Sequence, residues 1–221
     1  MIRLDVEQGS AEWHVARLGI PTASQFHRLL TPKTRKLGAG ATTYMHELLA
    51  EWLIGIPAGP EAKSYIARGN DLEPWAVSYY ELQRSVTTEK AGVCLRDDRM
   101  VGCSPDRLVG ADGGLELKCP GAPQHVANLL DMQDDYFAQV QGNLYVTGRR
   151  WWDLMSYHPE IPAALVRVER DEGYIAALDT ALGSFVADLL AARARLIARG
   201  AEPATSLAAD FAATITTTGE I

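Results

Sequence analysis

Asp106, Glu116 and Lys118 are the residues of this chain whose types and spacing point most directly to chemistry. Cys103-Ser104-Pro105-Asp106 leads into a Gly-rich turn, and Glu116-Leu117-Lys118 comes after it. Acid, turn, then acid-apolar-Lys places two carboxylates and one ammonium on adjacent strands of a hairpin. Two carboxylates hold a hard cation such as Mg²⁺ through oxygen. An ammonium beside that cation can orient, or help deprotonate, an attacking water. The chemistry expected is metal-dependent cleavage of a phosphodiester.

The spacing also constrains the hairpin. Residues i and i+2 of a strand share a face, so Glu116 and Lys118 point the same way. Leu117 then points to the core and leaves its carbonyl near the metal. If Asp106 lies opposite Glu116, the hairpin is centred on Ala111 and its loop has an odd length. A two-residue turn at Asp112-Gly113 would pair Asp106 with Cys119, a slip of roughly 10 Å along the strand. A three- or five-residue loop is therefore expected, or a bulge that uses Gly113 or Gly114.

An isolated acid-acid-Lys pattern also arises by chance as a surface ion pair, so its company matters. Gln139, in Tyr136-Phe137-Ala138-Gln139-Val140-Gln141, could reach a metal-bound water or a phosphate through its amide. Glu73 is a third acid, in the preceding helix. Arg17, Thr22 and Ser24 surround the junction of two short helices, where hydroxyls, an Arg and a helix N-terminus can hold a phosphate. Lys33, Arg35 and Lys36 sit in a basic loop over 31–41. Trp151-Trp152 could stack on bases, though at the start of an expected strand such a pair more often serves core and sheet packing. There is no GxxxxGK[ST], GxSxG or HExxH motif.

The elements that must position these residues can be read coarsely. Ser10 caps a helix over 11–17, and Thr22 caps another over 23–30. Further helices are expected at 43–54 and 62–83, the latter starting near Asn70 or Asp71, or kinked there, because of Pro74. Residues 86–95, 100–109 and 114–119 read as strands, then 123–131 and 134–146 as helices. Two more strands, 150–157 and 163–170, precede a helix over 171–199. This order predicts an α/β or α+β domain with a mixed sheet, spanning 1–200. A polar tail over 201–221 is expected to be disordered or to pack on another subunit.

The chain has 221 residues, 47% of them hydrophobic, enough for one substantial core. No apolar run is expected to reach the roughly 20 residues of a membrane span, and residues 1–20 do not read as a signal peptide. Cys94, Cys103 and Cys119 lack CxxC spacing and read as small buried residues in a reducing cytoplasm. The net charge of −7 argues against a simple nucleic-acid coat. It does not argue against a nuclease, whose metal site adds carboxylates.

WHVARLGIPTAS, CSPDRL, LELKCP and YFAQVQ, in that order, resemble the λ-exonuclease and YqaJ-like viral recombinase nucleases of the PD-(D/E)xK superfamily. The resemblance runs from about Gln8 to about Arg195. It implies a restriction-endonuclease-like central mixed sheet flanked by helices. It implies Mg²⁺-dependent 5′→3′ digestion of one strand of duplex DNA from a 5′-phosphorylated end, with Mn²⁺ substituting for Mg²⁺. It further implies a toroidal homotrimer around DNA and a single-strand annealing protein as partner. By resemblance, Asp106, Glu116 and the Leu117 carbonyl are metal ligands, and Lys118 is the catalytic lysine. Gln139 helps place the water, and Glu73 stands near a second metal position. Arg17, Ser24 and Ser104 hold the terminal phosphate beside Trp13. Ile66 aligns with an apolar wedge that separates the strands, and Lys33 is grouped with the DNA contacts. The alternatives are an endonuclease of the same superfamily and a non-catalytic module that binds DNA ends.

Overall fold

Strand β7 (Trp151–His158) organises the molecule because its residues are buried on both sides of the sheet. A strand covered on both faces reads as a nearly continuous apolar run. The computed structural model describes residues 1–36, 38–58 and 65–204, with 65–71 and 133 described by backbone alone. The expected tail over 201–221 lies mostly outside these residues.

A five-stranded sheet has the order β2-β5-β6-β7-β8: β2 (Thr88–Glu89), β5 (Arg107–Val109), β6 (Gly113–Lys118), β7 and β8 (Ile161–Glu169). Only β6 and β7 pair in parallel; the other neighbours are antiparallel. A parallel pair needs a long crossover, here α4 (Ala122–Leu130) and α5 (Gln133–Thr147). A second sheet joins β1 (Ile2–Leu4), β3 (Val93–Leu95) and β4 (Gly102–Cys103).

The two faces of the large sheet feed separate cores. Leu108, Trp152, Leu154 and Val168 join residues of α5 and of α6 (Glu172–Ile197). Val109, Leu115, Leu117 and Met155 instead pack with Ala76 and Tyr80 of α3 (Tyr65–Arg84). Alternation along β6 therefore sends Leu115 and Leu117 towards α3, and Glu116 and Lys118 towards α5.

The expected strands 86–95 and 100–109 are each split between the two sheets. Gly92 has a φ of +63°, and its Cα lies so close to the Leu4 carbonyl that a Cβ would meet it at 2.1 Å. Only glycine fits there, and the chain leaves β2 for β3 at that point. Ser104-Pro105 makes the second break, where proline supplies no ladder donor. The split matters because it sets Ser104 and Asp106 at the seam between the sheets.

Three other expectations are corrected. Residues Ala23–Arg28 form a 3₁₀ helix. Thr22 does not cap it through its side chain; its carbonyl accepts from the Gln25 N–H at 2.9 Å. Helix α3 spans Tyr65–Arg84 through Pro74, close to the expected 62–83, and does not start at Asn70 or Asp71. By length and composition, α6 is long and apolar enough to cross a membrane. Its Tyr174, Leu178, Leu182, Phe185 and Leu189 are buried in the main core, so it reads as a core helix. Helix α1 (Ala11–Arg17) forms as expected, with Ser10 accepting from the Trp13 N–H. Helix α2 (Ala41–Ile54) follows the 31–41 loop. Two cations of that loop are paired, Lys33 with Asp134 and Arg35 with Asp171.

Candidate active site

The β5–β6 hairpin settles the register. Arg107 pairs with Leu115, Leu108 with Gly114 and Val109 with Gly113. Gly110, Ala111 and Asp112 are the loop, three residues without a bulge. Continuing the register by one step sets Asp106 opposite Glu116, as the spacing predicts. A single guanidinium secures the turn: Arg149 donates to the Gly110 and Gly113 carbonyls at 2.7 and 2.6 Å, and to Val109 at 3.4 Å. The Asp106 carboxylate accepts from the Leu117 N–H at 2.6 Å.

Glu116, Lys118 and Gln139 meet on the α5 side of β6. Lys118 Nζ donates to Glu116 Oε1 at 2.8 Å and to Gln139 Oε1 at 3.1 Å. Gln139 Nε2 also donates to Glu116 Oε1. The Lys118 ammonium lies over the Tyr136 ring at 4.9 Å. Leu117 points to the opposite core, as alternation requires. Glu73 arrives from α3, but its carboxylate is held by Arg107 at 2.9 Å. Arg107 also donates to the Asp106 carbonyl at 2.7 Å, so the pair links Glu73 to the strand end that carries Asp106.

Charge is concentrated here. Burial raises the Asp106 carboxyl pKa, and the neighbouring Glu116 charge adds to the effect, taking it to about 8. Burial opposes the Lys118 ammonium, yet Glu116 and Asp106 outweigh it and hold the lysine above its ordinary pKa. Among the described residues there is no cluster of three or more His, Cys, Asp or Glu side chains arranged for a metal. The donor set is thus two facing carboxylates with nearby backbone. A hard divalent cation fits that chemistry, since it would balance carboxylates that repel one another.

A second group lies beside the first. Arg17 Nη1 donates to Ser104 Oγ at 3.1 Å, two residues before Asp106. The Arg17 guanidinium stacks on the Trp13 ring at 3.9 Å. The Trp13 indole N–H is buried without an acceptor among the described residues. Ser24 lies 3.5 Å from the Thr22 hydroxyl, and Thr22 bridges to Gly102 at the start of β4. Arg17, Ser104 and Trp13 are therefore brought together, with Ser24 on the neighbouring 3₁₀ helix. Lys33 is not drawn into this group; it is an exposed partner of Asp134. The Ile66 side chain lies outside the described residues.

Sequence reasoning missed two residues. Asn143 Nδ2 donates to Glu116 Oε2 at 3.1 Å. Its position four residues after Gln139, on the same helix face, was the available signal. Arg107, the partner of Glu73, adjoins Asp106 in sequence, but only the paired strands and α3 bring it to Glu73.

The profile of the YqaJ-like viral recombinase domain matches residues 12–150. The crystal structure of an alkaline exonuclease (LHK-Exo) from Laribacter hongkongensis is 32% identical, with a TM-score of 0.77, over 87% of this chain and 98% of that one. Its complex with dAMP matches at 31% identity, with the same TM-score and coverage. A phage-related exonuclease from Haemophilus somnus 129PT shares the fold at 17% identity, with a TM-score of 0.61 over 79% of this chain and 96% of that one. A search of curated proteins gave no match. The two sheets flanked by helices are similar to those of the alkaline exonuclease. On the profile match and the 32% identity together, this chain belongs to the YqaJ-like viral recombinase family.

Proposed function

We propose that this protein is a Mg²⁺-dependent 5′→3′ exonuclease that degrades one strand of linear duplex DNA from a 5′-phosphorylated end and leaves a 3′ overhang. The observation that carries this reading is the adjacency of two groups. The Asp106–Glu116–Lys118–Gln139 cluster could cut a phosphodiester, and Arg17 is tied to Ser104 only two residues from Asp106. An enzyme that cuts internally has no terminal phosphate to hold. Family membership supports a nuclease role. That the Laribacter enzyme was crystallised with dAMP supports mononucleotides as products.

Asp106, Glu116 and the Leu117 carbonyl would hold the cation. When bound, Mg²⁺ supplies a Lewis acid that offsets charge on the phosphate and on the leaving oxygen. Lys118 and Gln139 are joined at one edge of Glu116, where their donors can orient a water for in-line attack. Arg17, Ser24 and Ser104 would hold the terminal phosphate, with the Trp13 indole N–H as a further donor. Anchoring that phosphate sets the next bond against the carboxylates. Such positioning contributes several kcal/mol to a barrier. Glu73, restrained by Arg107, would stand near a second cation position. Mn²⁺ would substitute for Mg²⁺. By family resemblance, the working form would be a cytoplasmic toroidal homotrimer supplying overhangs to a single-strand annealing protein.

The test is a time course on linear duplex with Mg²⁺, one end carrying a 5′-phosphate and the other a 5′-hydroxyl. Each strand is labelled separately, and a covalently closed circle is the control. Loss of the 5′-phosphorylated strand alone, with the circle intact, is expected. Cutting of the circle would move the assignment to an endonuclease. Tight binding to ends without cleavage in any divalent metal would leave a loading module.

A further inference from the structure

The two oxygens of Glu116 face different surroundings. Oε1 takes the donors on the open side, Lys118 Nζ and Gln139 Nε2. Oε2 takes the Asn143 amide at 3.1 Å. The side chain of Lys118 is 22% exposed, whereas Asn143 is 1% exposed. One oxygen is therefore anchored in the interior and the other held by Lys118 and Gln139. An ionised carboxylate only accepts, so the Asn143 NH₂ is the donor of this pair.

We propose that Asn143 is a positioning residue for cation binding, fixing the inner oxygen of Glu116 so that its outer oxygen and Asp106 are presented as one ligand pair. The inference rests on reading Asp106 and Glu116 as metal ligands. A neutral donor suits the task. An Arg or Lys at 143 would cancel the charge that attracts the cation, while an amide satisfies the buried oxygen and leaves that charge in place. Without the amide, Oε2 is buried with no donor among the described residues, and the carboxylate must rotate to find one. That rotation removes it from the ligand pair. Residues that support metal ligands in this way commonly alter metal affinity about ten- to a hundredfold.

The experiment is calorimetric titration of Mn²⁺ into the metal-free protein, comparing wild type, Asp106→Asn and Asn143→Leu. Asn143→Leu, close in volume but without a donor, is expected to weaken Mn²⁺ binding about ten- to a hundredfold. Its Mn²⁺ requirement for cleavage should rise by the same factor, with kcat recovering as Mn²⁺ is raised. A purely structural role would lower the melting temperature without moving the metal requirement. Should Asn143→Leu fail to fold, Asn143→Ala makes the same comparison. If Asp106→Asn binds Mn²⁺ poorly while the Asn143 variant binds like wild type, the inference is wrong and the metal-ligand reading stands. If Asp106→Asn itself binds like wild type, both are overturned.

Discussion

The main-chain N–H of Leu117 donates to the Asp106 carboxylate at 2.6 Å, across the hairpin that carries both acids of the site. This bond spans two strands whose register is set by a three-residue loop. A slip of one residue would turn Glu116 and Lys118 to the α3 side. Asp106 thus serves the register as well as the charge, and the two roles can be separated. Asp106→Asn keeps an oxygen for the Leu117 N–H and loses the negative charge. Because Asn does not titrate, its metal-free melting temperature should not fall below wild type and should exceed it increasingly as pH rises towards about 8. Cleavage should fall by more than the roughly ten- to hundredfold that losing a residue supporting a ligand costs. Thermal melts in EDTA and single-turnover cleavage check this. Cleavage near the wild-type rate would remove Asp106 from the ligand set.

The same carboxyl predicts a pH dependence. Its pKa is raised to about 8 in the metal-free fold, from an ordinary value of 3.8, chiefly by burial and then by Glu116. Between those values the folded chain keeps a proton that the unfolded chain has released. The folded state binds more protons, so stability falls as pH rises through that window and levels off above it. A divalent cation held by Asp106 would replace that proton. Mg²⁺ should therefore raise the melting temperature more at pH 8.5 than at pH 6. Melts in EDTA and in Mg²⁺ across this range measure it. An Mg²⁺ increment independent of pH would count against Asp106 as a ligand.

Arg17 is tied to Ser104 and stacked on Trp13, the place proposed for the terminal phosphate. A hydrogen bond to a charged group is worth about 1.5–3 kcal/mol, or roughly ten- to a hundredfold in binding. Arg17→Ala should lose about that factor on 5′-phosphorylated ends and change little on 5′-hydroxyl ends. The readout is kcat/KM on both substrates. An equal loss on the two would show that Arg17 supports the fold or binds DNA generally.

Much of the site was legible because strand alternation and hairpin symmetry are short-range. Two residues of spacing set the shared face of Glu116 and Lys118, and odd loop length set Asp106 opposite Glu116. The split of 86–95 and 100–109 between sheets was harder to read. Gly92 and Pro105 mark the breaks, but only the partner strands decide which sheet each half joins. The helix after Thr22 was legible but not its 3₁₀ form, in which the Gln25 N–H closes on the Thr22 carbonyl and the Thr22 N–H goes to the Tyr44 hydroxyl, 22 residues away. The pairing of Glu73 with Arg107 depends on how α3 lies across the sheet, which spacing does not encode.

Gly114 tests how tightly the hairpin is seated. A Cβ there would lie 2.3 Å from the Trp152 ring. That ring is fully buried on the neighbouring strand β7, so it has little space to move, and β6 itself must shift. Gly121, at the start of α4, offers a contrast, since a Cβ there meets nothing within 4 Å and its φ is −66°. Gly114→Ala should destabilise the protein by about 1–3 kcal/mol, as overpacked cores do. For a chain of this size, each kcal/mol corresponds to about 2–4 °C in Tm. Gly121→Ala should change Tm little. Because Glu116 is only two residues away, Gly114→Ala should also weaken cleavage at temperatures well below its Tm. Thermal melts and cleavage assays on both variants distinguish these effects. Equal melting temperatures for the two would mean that Trp152 can yield, and that Gly114 does not fix β6 against β7.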